Sequence, residues 1–144
     1  MGSVAAGASL TPRKGQLLNI GLWIVQLGLA ALFGLAGTLK ATLPVAELHQ
    51  NLPWTPDLPL TLVRLIGTAE LAGVLGLILP AATRIRPVLT PLAAAGLLTV
   101  MVLAAGFHLS RGEASAIGMT LLLGALAALV AWGRWRLVPI APRG

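Results

Sequence analysis

Four long apolar runs divide the chain, and the polar residues collect between them. The runs cover approximately Leu17–Leu39, Leu60–Leu79, Val88–Phe107 and Ala114–Trp132. Each is close to the ~20 residues that an α-helix needs, at about 1.5 Å per residue, to cross about 30 Å of hydrocarbon. The apolar positions are continuous rather than spaced for one helical face, so the runs do not read as surface helices of a water-soluble domain. No segment shows the alternation that a membrane β-barrel requires. The pattern predicts an all-α polytopic membrane protein, an antiparallel four-helix transmembrane bundle spanning residues 17–136.

The links refine this outline. Residues 1–16 are small and polar and end in Pro12, Arg13 and Lys14, which predicts a flexible tail. The basic pair before an apolar run resembles a signal peptide, but the run is too long for a signal core and has no convincing cleavage site, so an uncleaved first span is expected. The first link, Lys40–Pro59, holds four prolines and cannot be one continuous helix. Within it, Val45–Leu52 can form one or two turns on the membrane surface. Ala81–Arg86 and Leu109–Glu113 are short, which makes neighbouring helices antiparallel. Span two is expected to end at Pro80, and span three to be entered through Pro87 and Pro91. Residues 137–144 form a short C-terminal tail.

Composition supports the bilayer as solvent. The 144 residues are 57% hydrophobic and only 10% charged, with a mean hydropathy of +0.91. The net charge of +6 does not indicate nucleic acid, because the basic residues sit singly or in pairs at the ends of apolar runs rather than in a stripe. They orient the chain instead. Arg13, Lys14, Arg84, Arg86, Arg134, Arg136 and Arg143 fall on one side of a four-span layout; Lys40 and Arg111 fall on the other, with Arg64 just inside span two. Both termini are therefore expected in the cytoplasm. Trp132 and Trp135 then belong to the inner interface and Trp54 to the outer one. The absence of cysteine excludes disulfides, thiolate metal sites and thiol exchange.

Candidate chemistry gathers in the outer half. Glu70 lies about ten residues into span two, roughly 15 Å deep. A carboxyl at that depth is costly towards lipid and is expected to face the bundle interior with a partner. Gly67, Ala69, Gly73 and Gly76 surround it and allow close helix approach. Lys40, Arg64, His108 and Gln26 are the groups that could answer it. Such a pair can equally lock helix register without any ligand. Lys40 can snorkel to headgroups, and Arg64 can serve as an interfacial anchor. Histidine is the side chain whose unperturbed ionisation lies nearest neutrality, so His108 suits proton exchange, although a histidine at a helix end is commonly a plain interfacial residue. A haem or metal held by His49 and His108 has neither the spacing nor a carboxylate cluster behind it. Glu47, Asp57 and Glu113 read as solvated loop charges, and Gly34 and Gly37 as packing positions. No phosphate-binding glycine loop, serine–histidine–acid set or paired-carboxylate motif is present.

Four segments in order resemble the DoxX-like family of small bacterial membrane proteins. They are Phe33-Gly34-Leu35-Ala36-Gly37-Thr38-Leu39-Lys40; Ile66-Gly67-Thr68-Ala69-Glu70-Leu71, continuing through Gly73 and Gly76 to Leu79-Pro80; His108-Leu109-Ser110-Arg111-Gly112-Glu113; and Gly133-Arg134-Trp135-Arg136. Leu52-Pro53-Trp54 also fits. The resemblance covers about residues 30–136 and implies a four-helix bundle in the bacterial cytoplasmic (inner) membrane. It implies less about activity. Relatives are linked to thiosulfate:quinone oxidoreduction and to membrane redox complexes, and Lys40, Glu70 and His108 are the polar motif residues carried over by position. Without cysteine, electrons in any such reaction would be carried by a partner or a bound cofactor such as a quinone.

Two functions from different classes follow. In the first, Lys40, Glu70 and His108, with Arg64, Gln26 and Trp54, line an outward-opening pocket for a quinone-like molecule or a lipid, with the first three as candidate proton-exchanging groups. In the second, the chain is a scaffold or assembly subunit whose glycine-rich faces dock on another membrane protein or on a second copy. A membrane enzyme doing acid/base chemistry on a lipophilic substrate is a third reading.

Overall fold

In the computed structural model, which describes residues 10–144, the four apolar runs are helices and a fifth short helix lies in the first link. Helix α1 spans Pro12–Thr42 and α2 spans Val45–Asn51; α3 spans Leu60–Thr83, α4 Leu89–Ser110 and α5 Ala114–Trp132. A 3₁₀ turn at Thr55–Asp57 and a π-helical turn at Gly133–Leu137 complete the elements, and no strand occurs among the described residues. Four helices are long and apolar enough to cross a membrane.

Local chemistry sets the ends. The Thr11 hydroxyl accepts from the Lys14 amide and Pro12 occupies the first helical turn, so α1 starts inside the segment expected as tail. The remainder of that tail, residues 1–9, lies outside the described residues. Leu43 is extended ahead of Pro44, which ends α1. The expected stop at Pro80 does not occur: α3 runs on to Thr83 with Pro80 inside it. Proline withholds the N–H that would meet the Gly76 carbonyl. The side-chain amide of Gln26 donates to the neighbouring Leu77 carbonyl at 2.7 Å, so α1 supplies hydrogen bonding beside the break. Pro91 falls in the first turn of α4, where no amide hydrogen is required.

The helices run alternately up and down. One end of the bundle, the loop end, holds α2 and the α4–α5 link; the termini end holds the α3–α4 turn and the C-terminal segment. Helix α1 packs closely on α3, and α4 on α5, with α3 against α4 and a sparser meeting of α1 with α5. Ile24, Leu35, Leu65, Val102 and Leu103 are each more than 60% exposed, an apolar surface suited to lipid.

The buried stripe of each helix follows its 3.6-residue period. In α1 it is Leu22, Gln26, Leu29, Phe33, Gly37 and Lys40. The apolar core joins Leu29, Phe33, Leu77, Ala94, Leu97, Met101, Ala127 and Val130 and fills the middle of the bundle. Polar side chains continue these stripes above and below it. Helices α1 and α3 meet backbone to backbone at Gly37 and Gly67: a Cβ on Gly67 would lie 2.8 Å from the Gly37 carbonyl oxygen and 2.7 Å from the Lys40 Cβ. Gly34 has open space around it and is not a packing position.

Candidate functional site

Helix direction brings Lys40 and Glu70 together. Side chains on an α-helix lean towards its N-terminus. Helix α1 ends at the loop end and α3 begins there, so Lys40 leans inward and Glu70 leans outward. The Gly37–Gly67 contact places the two backbones close enough for them to meet. Lys40 Nζ donates to Glu70 Oε1 at 2.7 Å and to Oε2 at 2.8 Å. Lys40 is 8% exposed and Glu70 1%. Lys40 therefore does not snorkel to the headgroups; a carboxylate one helix away holds it inside.

Beside this pair lies a cavity of about 400 Å³ between α1, α3, α4 and α5. Phe33 and Met101, which belong to the core, close it towards the middle of the bundle. Its wall is otherwise apolar, apart from Lys40, Glu70, His108, Thr120 and the indole of Trp54. Trp54 is half-buried rather than an exposed belt residue. Its ring meets Phe107 and His108 edge-on, each at 5.9 Å between centroids, and Lys40 Nζ lies 5.9 Å from its ring centre.

A charged network roofs the cavity. His108 Nδ1 is 2.5 Å from Glu113 Oε2, and Arg111 Nε donates to Glu113 Oε1 at 2.9 Å. Arg111 also pairs with Asp57, which ties the α4–α5 link to the turn before α3. Hydrogen bonds from His108 and from Arg111 hold the Glu113 carboxyl below its ordinary range. Asp57 and Glu113 are thus partners in this network while remaining in contact with solvent. Among the described residues, no group of three or more His, Asp or Glu side chains could hold a metal ion.

Two expected partners of Glu70 go elsewhere. Arg64 Nη1 donates to the Lys40 carbonyl at 2.8 Å and Nη2 to the Leu43 carbonyl at 2.6 Å. It closes the C-terminus of α1, where helix carbonyls lack intrahelical partners, and does not line the cavity. Gln26 serves the other end of the bundle: besides its bond to Leu77, its Oε1 accepts from Arg134 Nε at 2.7 Å. His108 lines the same cavity as Glu70 but pairs with Glu113.

Sequence reasoning missed the role of Arg134, which counts there only among the basic residues of the termini side yet is 3% exposed. A signal existed. Asn19, Trp23 and Gln26 follow at intervals of four and three, one polar stripe on a membrane helix, and each of the three meets Arg134.

Fold and site together define an integral, multi-pass membrane protein with a buried lysine–glutamate pair in the wall of an apolar cavity. The family model described as the DoxX-like family matches residues 24–130, and the chain belongs to that family. The matched stretch contains every residue of the cavity. No curated protein and no solved structure matches the chain.

Proposed function

We propose that the cavity binds a lipophilic small molecule with a polar head, quinone-like or lipid, and that the protein serves a redox-associated role in the bacterial cytoplasmic membrane. The observation that carries this reading is the Lys40–Glu70 pair in the wall of an otherwise apolar cavity. At about 400 Å³ the space falls in the range typical of small-molecule sites, roughly 300–1,000 Å³ with a few convergent polar groups. Two of the three ammonium hydrogens of Lys40 are used by Glu70, which leaves one for a ligand carbonyl. His108 uses Nδ1 on Glu113 and keeps Nε2 for the ligand. The aromatic edges of Trp54 and Phe107 suit a flat ring. A quinone, when bound, supplies the electron-accepting chemistry; the chain holds its carbonyl, excludes bulk water and offers proton donors.

The loop end faces outward in this reading, because the seven basic residues of the termini end favour the cytoplasm. Reporter fusions after Gly144 and within residues 81–86 should both read cytoplasmic, and one near Trp54 external. The function itself is tested by purification in mild detergent, solvent extraction and mass analysis. A stoichiometric quinone or lipid of one class supports it. A ligand-free protein that co-purifies with another membrane polypeptide contradicts it and favours a scaffold.

A further inference from the structure

The termini end holds a second buried charge, and it is handled differently from Lys40. The Arg134 guanidinium lies under the C-terminal segment, where Gly133 packs so tightly on Leu22 that a Cβ there would sit 2.7 Å from that side chain. Arg134 Nε donates to Gln26 Oε1 at 2.7 Å and Nη1 to Asn19 Oδ1 at 2.6 Å; the cation also lies 5.6 Å from the centre of the Trp23 ring. All of these partners are neutral. Nη2 is buried and has no hydrogen-bond partner. None of the four side-chain carboxylates, Glu47, Asp57, Glu70 and Glu113, lies at this end.

A buried cation in a membrane segment with unmet donors marks a site for a negative charge. The structure has a place for one. A groove of about 540 Å³ runs between the C-terminal segment and the start of α4, lined by Arg134, Arg86, Trp135, Val88, Pro91 and Ile140 among others. The segment over it is tied down by the Arg143 amide, which donates to the Arg84 carbonyl at 2.8 Å. Arg86 is exposed and brings a second guanidinium to the groove. Trp135 and Val88 are 51% and 48% exposed, an apolar path from the groove to the lipid-facing surface.

We propose that this groove binds a phosphate group, that of an anionic phospholipid headgroup. Arg134 and Arg86 donate to its oxygens, and its acyl chains lie along Val88 and Trp135. Guanidinium forks match phosphate oxygens in pairs, and basic pockets between membrane helices suit such headgroups. The site is separate from the loop-end cavity and does not depend on what that cavity holds.

The test uses the full chain, delipidated in detergent and titrated with phosphatidylglycerol, phosphatidylcholine or inorganic phosphate, with bound lipid read by native mass spectrometry and stability by melting temperature. Wild type should retain phosphatidylglycerol over phosphatidylcholine by on the order of tenfold, the gain expected from two basic groups near one headgroup. Arg86→Asn tolerates the left-handed backbone of that position (φ 47°). It should melt as wild type does without lipid and lose several-fold of the preference. Arg134→Lys keeps the charge but loses the fork and should lose preference as well. Inorganic phosphate that displaces the lipid supports a site reading phosphate. Inorganic phosphate that stabilises wild type but not Arg86→Asn, with no lipid preference, keeps the phosphate site and assigns it to a soluble anion. Equal retention of both lipids with no effect of phosphate overturns the proposal, as does a preference unchanged in both variants.

Discussion

The two ends of the bundle bury one cation each and accommodate them by opposite means. At the loop end Lys40 meets both oxygens of Glu70, and the pair leaves no net charge beside the cavity. At the termini end Arg134 meets the amide oxygens of Asn19 and Gln26 and the face of Trp23, all neutral, and one nitrogen meets nothing. A neutralised pair in an apolar wall suits an uncharged lipophile with a polar head. A guanidinium held by neutral groups and left uncompensated suits an anion. The same helix, α1, supplies both arrangements on one buried stripe, with Gln26 near one end and Lys40 near the other.

The largest effect should come from breaking the loop-end pair on one side only. Glu70→Leu leaves Lys40 buried without a counter-charge, a loss of about 3–5 kcal/mol when the cation cannot escape. Melting temperature in detergent should fall sharply, and Lys40→Met added to Glu70→Leu should recover most of it. Glu70→Gln keeps a hydrogen-bond acceptor for Lys40 and should fold. It then separates the two roles of the pair: a register lock predicts lower stability with full ligand content, and a ligand site predicts near-normal folding with ligand lost on extraction.

The next effect tests how the pair is assembled. Gly67→Val inserts atoms where a Cβ already lies 2.8 Å from the Ala41 amide and the Gly37 carbonyl, both backbone. Overpacking of this kind costs about 1–3 kcal/mol. It should also widen α1 from α3 and draw Lys40 away from Glu70, so ligand content should fall with stability. Gly34→Ala, at a position with open space, should leave both unchanged.

Arg64 and Arg134 mark where the sequence was legible and where it was not. The spans could be read because hydrocarbon demands unbroken apolar runs, and Glu70 because a carboxyl at midplane depth must face inward. Lys40 could be named as a candidate, but its inward lean depends on helix direction combined with the Gly37–Gly67 approach, a tertiary fact. Arg64 is one turn from the start of α3, where an anchor and a clasp on a neighbouring helix have the same sequence signature. Pro80 suggested a helix end because the side-chain hydrogen bond beside it comes from Gln26, 54 positions earlier in the chain. Arg134 follows a tryptophan at the end of a span, which fits interfacial residues as well as buried ones. In a membrane protein the outward face is as apolar as the core, so the hydrophobic members of a buried stripe carry no signal and only its small and polar members, such as Gln26, Gly37 and Lys40, mark it.

A smaller effect follows from the clasp at the end of α1. Arg64→Gln removes two charged donors from the Lys40 and Leu43 carbonyls. Hydrogen bonds to charged groups contribute roughly 1.5–3 kcal/mol each when buried, and this side chain is only half-buried. Water can replace part of the loss, so the melting temperature should fall by less than in Gly67→Val. The Lys40–Glu70 pair should survive, and ligand content with it.

The smallest effect concerns the roof of the cavity and is a matter of pH. Glu113 is held below its ordinary value of 4.5 by His108 first and Arg111 second. A carboxylate with a depressed folded pKa adds stability that is fully present above its unfolded value and is lost as pH falls through the folded one. The melting temperature should therefore drop modestly as pH falls below about 4.5, the ordinary value of this group. In Glu113→Gln that part of the slope should be missing. Because Glu113 is partly exposed and solvent screens its partners, the change should be small beside the loss in Glu70→Leu. The ring signals of His108, followed by NMR over the same range, report on the contact directly. In wild type they should shift as Glu113 takes up its proton, and Glu113→Gln should lack that step. An identical acid profile for the two proteins would show that the network closes the roof by shape alone.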